Sequence, residues 1–300
     1  MKPIKLYSLC LVLASMILLI TSCGGGGSSA PAAPNPNIAL TTSYKVEYVP
    51  GAPANPTMGK TTFQLRITKL SDGLPADKLD VSLEPMMHMT VPMPMDHSTP
   101  VDVVTESLTT PGTYDCTVYY IMESSSANTW ELKAIISGET ATFSPSVTGM
   151  ISIPKLRGQT DDLITKGSGT ETRTYLLLKD GPTTTTSISL FIAAQENDKM
   201  TFSQVYSGAT FTDETNSALP ITNVLVDAST DLASWQSGTN GGNGGHWTLP
   251  IFPTPLSSGG TGTVYVRLFV DGKQKSTNSA LVSVPTDSNG YQTFSVQDGI

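Results

Sequence analysis

Apolar residues in this chain recur at alternate positions, and no stretch repeats them at the 3.6-residue period of a helix. Phe63, Leu65 and Ile67 alternate with Gln64, Arg66 and Thr68. Tyr114, Cys116, Val118, Tyr120 and Met122 share one parity, as do Trp130, Leu132, Ala134 and Ile136, and Val264, Val266, Leu268 and Val270. Successive side chains of a strand point to opposite faces, so each run reads as a strand with one buried face. Turn residues close the runs: Asp72-Gly73, Pro111-Gly112, Gly138, and Asp271-Gly272 before a returning strand at 280–284. Short strands separated by such turns pack as sandwiches or barrels, and little helix is predicted. Tyr175 to Leu178 and Ile188 to Ala194 are apolar on both parities, which fits short central strands or strands covered on two faces.

At 300 residues the chain exceeds the roughly 100–200 residues of one domain, so two are expected. The first is placed at 39–153, a polar, Gly-containing linker at 154–170, and the second domain at 171–300. Charged residues are only 14%, against roughly 25% in ordinary globular chains, while Ser and Thr fill about a quarter of the sequence. The net charge of −8 excludes the basic footprint of a nucleic-acid binder. Three Cys cannot build a disulfide framework, and three His without a Cys cluster exclude a zinc finger. The apolar fraction of 38% still suffices for packed cores.

The N-terminus carries an address. Lys2 and Lys5 precede the apolar run Leu6 to Ile20, which is too short for a helix spanning a ~30 Å bilayer core. Residues 1–22 are therefore expected to be a signal peptide. Ile20-Thr21-Ser22-Cys23 resembles a bacterial lipobox, which implies cleavage before Cys23 and a lipid on Cys23. Two or more acyl chains anchor stably, so a membrane partner is implied through the lipid. Gly24 after the Cys resembles the sorting pattern of diderm lipoproteins, which implies the outer rather than the inner membrane. Residues 23–38 (with GGGGSSAPAAPNP at 24–36) read as a flexible tether. Cys116 is then the one remaining thiol, and it is expected to be buried.

The chemically informative segment is Leu83 to Pro100, LEPMMHMTVPMPMDHSTP. It concentrates Met86, Met87, Met89, Met93 and Met95 with His88 and His97. Thioether sulfur is soft and never protonated, so it suits Cu(I), and imidazole suits both copper states. In an extended chain Met87, Met89, Met93, Met95 and His97 share the odd face, whereas Met86 and His88 lie on the other. Pro92 and Pro94 favour an edge or a loop. Met86, His88, Met89, Met93, Met95 and His97 are the candidate ligands, with Met122 as an addition and the Met93, Met95, His97 subset preferred. Met is also a pliable core filler, and the odd face continues Val81 and Leu83, so core packing is the competing reading.

Elsewhere the sequence points away from chemistry. His246 beside Trp247 reads as a surface residue after a Gly-rich loop, Asp161-Asp162 as a solvated linker pair, and Asp287 to Gly290 as a turn. No nucleophile elbow, phosphate loop, dinucleotide fingerprint or His-Glu-x-x-His motif occurs, and no enzyme is predicted.

Residues 40–150 resemble the YtkA-like/FixH-like domain. The resemblance rests on the strand Thr62–Thr68, Asp72-Gly73, Val81–Leu83, the Met/His stretch to Pro100, Pro111-Gly112-Thr113-Tyr114, Met122 and Trp130-Glu131-Leu132. It implies an immunoglobulin-like β-sandwich in the bacterial envelope, in a family some of whose members are linked with copper handling or oxidase assembly while others have no established activity. The longer Met stretch, and a lipid anchor in place of a transmembrane helix, depart from that pattern. The expectation is an all-β envelope lipoprotein with two immunoglobulin-like β-sandwich domains after the signal and tether. Its first domain would bind or buffer a soft metal, copper as Cu(I) by preference, and pass it to a transfer partner. The alternative is a non-catalytic module that presents a surface to an envelope partner, with the Met residues as core.

Overall fold

A computed structural model describes residues 35–90, 94–197, 201–242, 244–278 and 283–299. The signal segment, Cys23, most of the tether, Met93 and residues 279–282 of the expected returning strand lie outside the described residues. Among the described residues all regular structure is strand.

The first nine strands are β1 (Ile38–Leu40), β2 (Tyr44–Pro50), β3 (Gly59–Lys69), β4 (Val81–Met89), β5 (Met95–Ser98), β6 (Thr105–Glu106), β7 (Thr113–Tyr120), β8 (Asn128–Ile136) and β9 (Glu139–Phe143). They form two antiparallel sheets, ordered β1-β2-β3-β7-β6 and β5-β4-β8-β9. The alternating residues of the two sheets meet in one core. Phe63, Leu65 and Ile67 of β3 and Tyr114, Cys116 and Val118 of β7 face Leu83 and Met87 of β4 and Trp130, Leu132 and Ala134 of β8. Cys116 is buried as expected, and burial pushes its thiol up to about 12, which leaves it a small apolar filler. Gly112 enters β7 at φ 71°, and a Cβ there would stand 2.8 Å from the Ile67 carbonyl oxygen. The turn therefore needs glycine for both space and backbone angle.

The second sandwich follows with β10 (Lys155–Arg157), β11 (Leu163–Lys166), β12 (Gly169–Thr172), β13 (Thr174–Lys179), β14 (Ser187–Gln195), β15 (Phe202–Gln204), β16 (Thr210–Thr212), β17 (Ala218–Pro220), β18 (Val224–Ser229), β19 (Gln236–Ser237), β20 (Thr239–Asn240), β21 (His246–Pro250), β22 (Thr261–Val270), β23 (Lys273–Gln274) and β24 (Gln292–Gln297). One sheet runs β10-β13-β14-β21-β20, with β15 beside β14. The facing sheet runs β19-β18-β22-β23, with β24 beside β22. Tyr175, Leu177, Leu190 and Ile192 of the first sheet pack on Val226, Val266, Leu268 and Phe294 of the second. The Asp271-Gly272 turn leads into the two-residue β23, and β22 pairs over six residues with β24; of the expected strand at 280–284 only residues 283 and 284 are described, and Val284 is exposed.

The expected linker at 154–170 is corrected by the structure. β10 pairs with β13, β11 pairs with β12, and Leu156 and Ile164 are fully buried. The connection between the sandwiches lies earlier, between Val147, which is in the first core, and Lys155. Asp162 is likewise not solvated. It accepts from Arg173 Nε at 2.9 Å, Lys275 Nζ at 2.7 Å and the Tyr175 hydroxyl at 2.6 Å. Burial alone would raise its carboxyl, but Lys275 and Arg173 outweigh burial and hold it below its ordinary value. Arg173 also pairs with Glu196 at 3.2 Å. Buried charge persists only when paired in this way, and a polar composition concealed it in the sequence.

The doubly apolar strands β13 and β14 have two covered faces because the sandwiches touch. Leu176, Leu178, Phe191 and Ala193 turn away from their own core and pack on Tyr119 and Ile121 of the first sandwich. The Tyr119 and Phe191 rings stack with centroids 4.2 Å apart, an arrangement that contributes about 0.5–1.5 kcal/mol beyond area burial.

Candidate functional site

The Met/His stretch folds into a hairpin. β4 is central, paired with β8 on one side and β5 on the other, and β5 is the sheet edge. Pro85 lies within β4, and the β5 ladder stops at Met86↔Ser98, one residue short of it. A prolyl nitrogen cannot donate to a ladder, so β5 could extend no further on equal terms. Pro94 precedes β5 at the exposed edge, where a proline is tolerated.

Antiparallel register then decides which ligands meet. The pairs are Met86↔Ser98, Met87↔His97, His88↔Asp96 and Met89↔Met95. Residues directly opposite share a face, so Met87, Met89, Met95 and His97 lie together on one side. Met87 is fully buried in the core, Met89 is half-buried against that core, and Met95 is 39% exposed. His97 Nε2 stands 2.9 Å from Met95 Sδ. Its Nδ1 is buried with no hydrogen-bond partner among the described residues. Burial lowers the proton affinity of His97, and Asp96 only partly opposes this, so the neutral, ligand-competent ring is favoured.

Met86 and His88 occupy the opposite face. His88 Nδ1 is 2.8 Å from Asp96 Oδ1, and its Nε2 is 3.7 Å from Glu131 Oε1. The structure therefore does not bring the six candidate ligands together. Met89, Met95 and His97 are gathered, Met86 and His88 are separated from them by the sheet, and Met93 lies outside the described residues. Met122 follows β7, packs against both adjacent cores, and accepts a hydrogen bond from Trp130 Nε1 on its carbonyl oxygen at 3.0 Å. The sequence reading left Met87 off the ligand list; its place beneath the cluster follows from the same odd-numbered parity. Among the described residues no three His, Cys, Asp or Glu side chains form a metal-binding group. Any ion held here would thus have a thioether-rich donor set, suited to a soft cation.

The third histidine corrects its sequence reading. His246 begins β21 and sits half-buried where the two sandwiches meet. Its Nδ1 is 2.7 Å from Asp180 Oδ2, and its Nε2 is 2.9 Å from Asp102 Oδ2 of the first sandwich. Asp180 also accepts from the Tyr119 hydroxyl at 2.6 Å and pairs with Lys60 at 2.9 Å. Hydrogen bonds to Asp102 and Asp180 raise the imidazole to about 9 against the effect of burial. Burial would raise Asp180, but its hydrogen bonds from His246, Tyr119 and Lys60 prevail and bring it down to about 2. Both ring nitrogens of His246 are engaged and protonated, so this ring is a clamp and not a ligand. Asp102 and Asp180 lie far from residue 246 in the chain, and no local motif announces them.

Comparison of the chain with protein-family models, with characterised proteins and with solved structures returns no match.

Proposed function

We propose that the chain is a bacterial envelope lipoprotein whose first sandwich binds or buffers Cu(I) at the β4–β5 hairpin, through Met89, Met95 and His97. One observation carries this reading: His97 Nε2 lies 2.9 Å from Met95 Sδ, with Met89 directly opposite Met95. Metal–nitrogen and metal–sulfur bonds of about 2.0 and 2.3 Å place two donors on one ion about 3.5 Å apart. The hairpin need open by only about half an ångström, at an exposed sheet edge. The lipobox-like sequence before Cys23 supports the address, preferentially at the outer membrane, and the YtkA-like resemblance points toward copper. Ligand exchange at a partly exposed thioether fits transfer to a partner protein.

The reading of the chain as a non-catalytic, immunoglobulin-like interaction module rests on Met87, whose complete burial is that of a core filler. A Cu(I) competition titration of the unlipidated protein separates the two. Met89→Leu with Met95→Leu preserves apolar volume while removing sulfur. A wild-type protein that competes for Cu(I) and a double variant that does not support the metal reading. Equal competition by both, or by neither, overturns it.

A further inference from the structure

A second, unrelated feature lies on the second sandwich. The outer face of β22 carries Tyr265, Arg267 and Phe269, alternating with the core residues Val264, Val266, Leu268 and Val270. Beside it Trp235, Tyr291, Arg267, Gln274 and Asp287 line a cavity of about 320 Å³. This is near the lower bound of roughly 300 Å³ for small-molecule pockets.

The walls of this cavity are fixed before any ligand arrives. Asp227 holds Arg267 through Nε at 2.9 Å and Nη2 at 2.8 Å. The guanidinium lies 4.2 Å from the Trp235 ring centre, and the indole N–H donates to the Leu232 carbonyl oxygen at 3.2 Å. Tyr291 stands 6.4 Å from Trp235 at 47° and packs edge-on against Tyr265 at 5.3 Å. Polar groups around these rings are open to a ligand. Among the described residues, Arg267 Nη1, the Asp287 carboxylate and the Tyr291 hydroxyl have no protein partner. Gln274 donates through Nε2 to the Gly290 carbonyl oxygen at 2.7 Å, which leaves its Oε1 available as an acceptor.

We propose that this cavity binds a saccharide. A pyranose presents C–H-rich faces that pack on aromatic rings, and a rim of hydroxyls that both donate and accept. The cavity offers the complement: two held aromatic rings, a guanidinium donor, and carboxylate and amide acceptors. A purely apolar ligand would strand these polar groups. A quaternary ammonium ligand would be repelled by the Arg267 cation beside the rings. An anion would meet Asp287. Pre-organised rings keep the ordering cost of binding low.

Tryptophan emission gives a local readout, because Trp130 and Trp247 are buried in the two cores at 2% and 5% exposure, leaving Trp235 as the accessible indole. The test titrates the unlipidated protein with cellotetraose, maltotetraose and the tetramer of N-acetylglucosamine at millimolar concentration. The expected result is a shift in emission, and protection from acrylamide quenching, with at least one of them. Measured by titration calorimetry, which does not depend on the indole, Trp235→Ala and Asp287→Asn should each weaken that binding by about tenfold or more, while Met95→Leu leaves it unchanged. Asp287 is exposed, so its variant tests ligand contact without disturbing the fold. No response to any of the three sugars, or binding unaffected by both substitutions, overturns the proposal. This outcome is independent of copper binding at the hairpin.

Discussion

His97 and His246 have the same side chain in two regions that make opposite use of it. At the hairpin, His97 faces thioethers, and its Nδ1 has no hydrogen-bond partner among the described residues. At the junction of the sandwiches, His246 lies between two carboxylates that fill both nitrogens. Burial keeps the first ring neutral, and the paired aspartates keep the second charged. An imidazole can ligate a metal only through an unprotonated nitrogen. Neighbouring charge, rather than exposure alone, therefore separates the potential ligand from the clamp.

The comparison breaks most severely if His97 does not contribute to copper affinity. Combining His97→Ala with Met95→Leu should weaken Cu(I) binding about a hundredfold or more, since even groups outside the ligand set commonly change metal affinity about 10–100-fold. Competition against a chromogenic Cu(I) chelator measures this. The next effect is on stability. His246→Ala removes two charge-assisted hydrogen bonds across the junction and should cost about 1–2 kcal/mol in urea unfolding at neutral pH. This is below the full value of two such bonds, since the ring is 36% exposed.

Titration sharpens the contrast. In an imidazole NMR titration His246 should change protonation near pH 9, and His97 below the ordinary value of about 6.5. Because the folded state raises His246, its stabilisation is complete below about pH 6.5 and is lost as pH rises through about 9. Asp180 is shifted the other way, so its stabilisation is complete above about pH 4 and is lost as pH falls toward about 2. For His97, folding favours the neutral ring, so its contribution is present above about pH 6.5 and is lost as pH falls through its lowered value. Copper affinity should fall over that same acidic range. A single shared titration for the two rings would remove the distinction. The smallest effect belongs to His88→Ala. Its hydrogen bond to Asp96 is exposed, so unfolding should shift by no more than about 0.5 kcal/mol and copper affinity by less than about threefold.

Much of the architecture was legible in the residues. The alternation of Phe63, Leu65 and Ile67, and of Val264 to Val270, identified strands and their buried faces, because a strand's side-chain period is a local property. The odd-numbered parity of Met89, Met95 and His97 survived the hairpin, since antiparallel pairing joins residues of equal parity here. The same parity separated His88 from them. Other features were not legible. Residues 154–170 looked like a linker because Asp162 and its neighbours are polar, and the partners that make them buriable, Arg173 and Lys275, come later in the chain. His246 looked like a surface residue for the same reason. Its partners at 102 and 180 lie in loops far from it in the chain.

The sequence by itself determined an all-β chain, the faces of its strands, the burial of Cys116 and the parity of the sulfur and imidazole donors. Each follows from backbone geometry and hydrophobic burial acting over a few neighbouring residues. The tertiary structure alone decided which charges are paired, where one sandwich ends and the other begins, and which histidine keeps a nitrogen free. Those outcomes depend on contacts between residues of separate elements, and no local pattern records them.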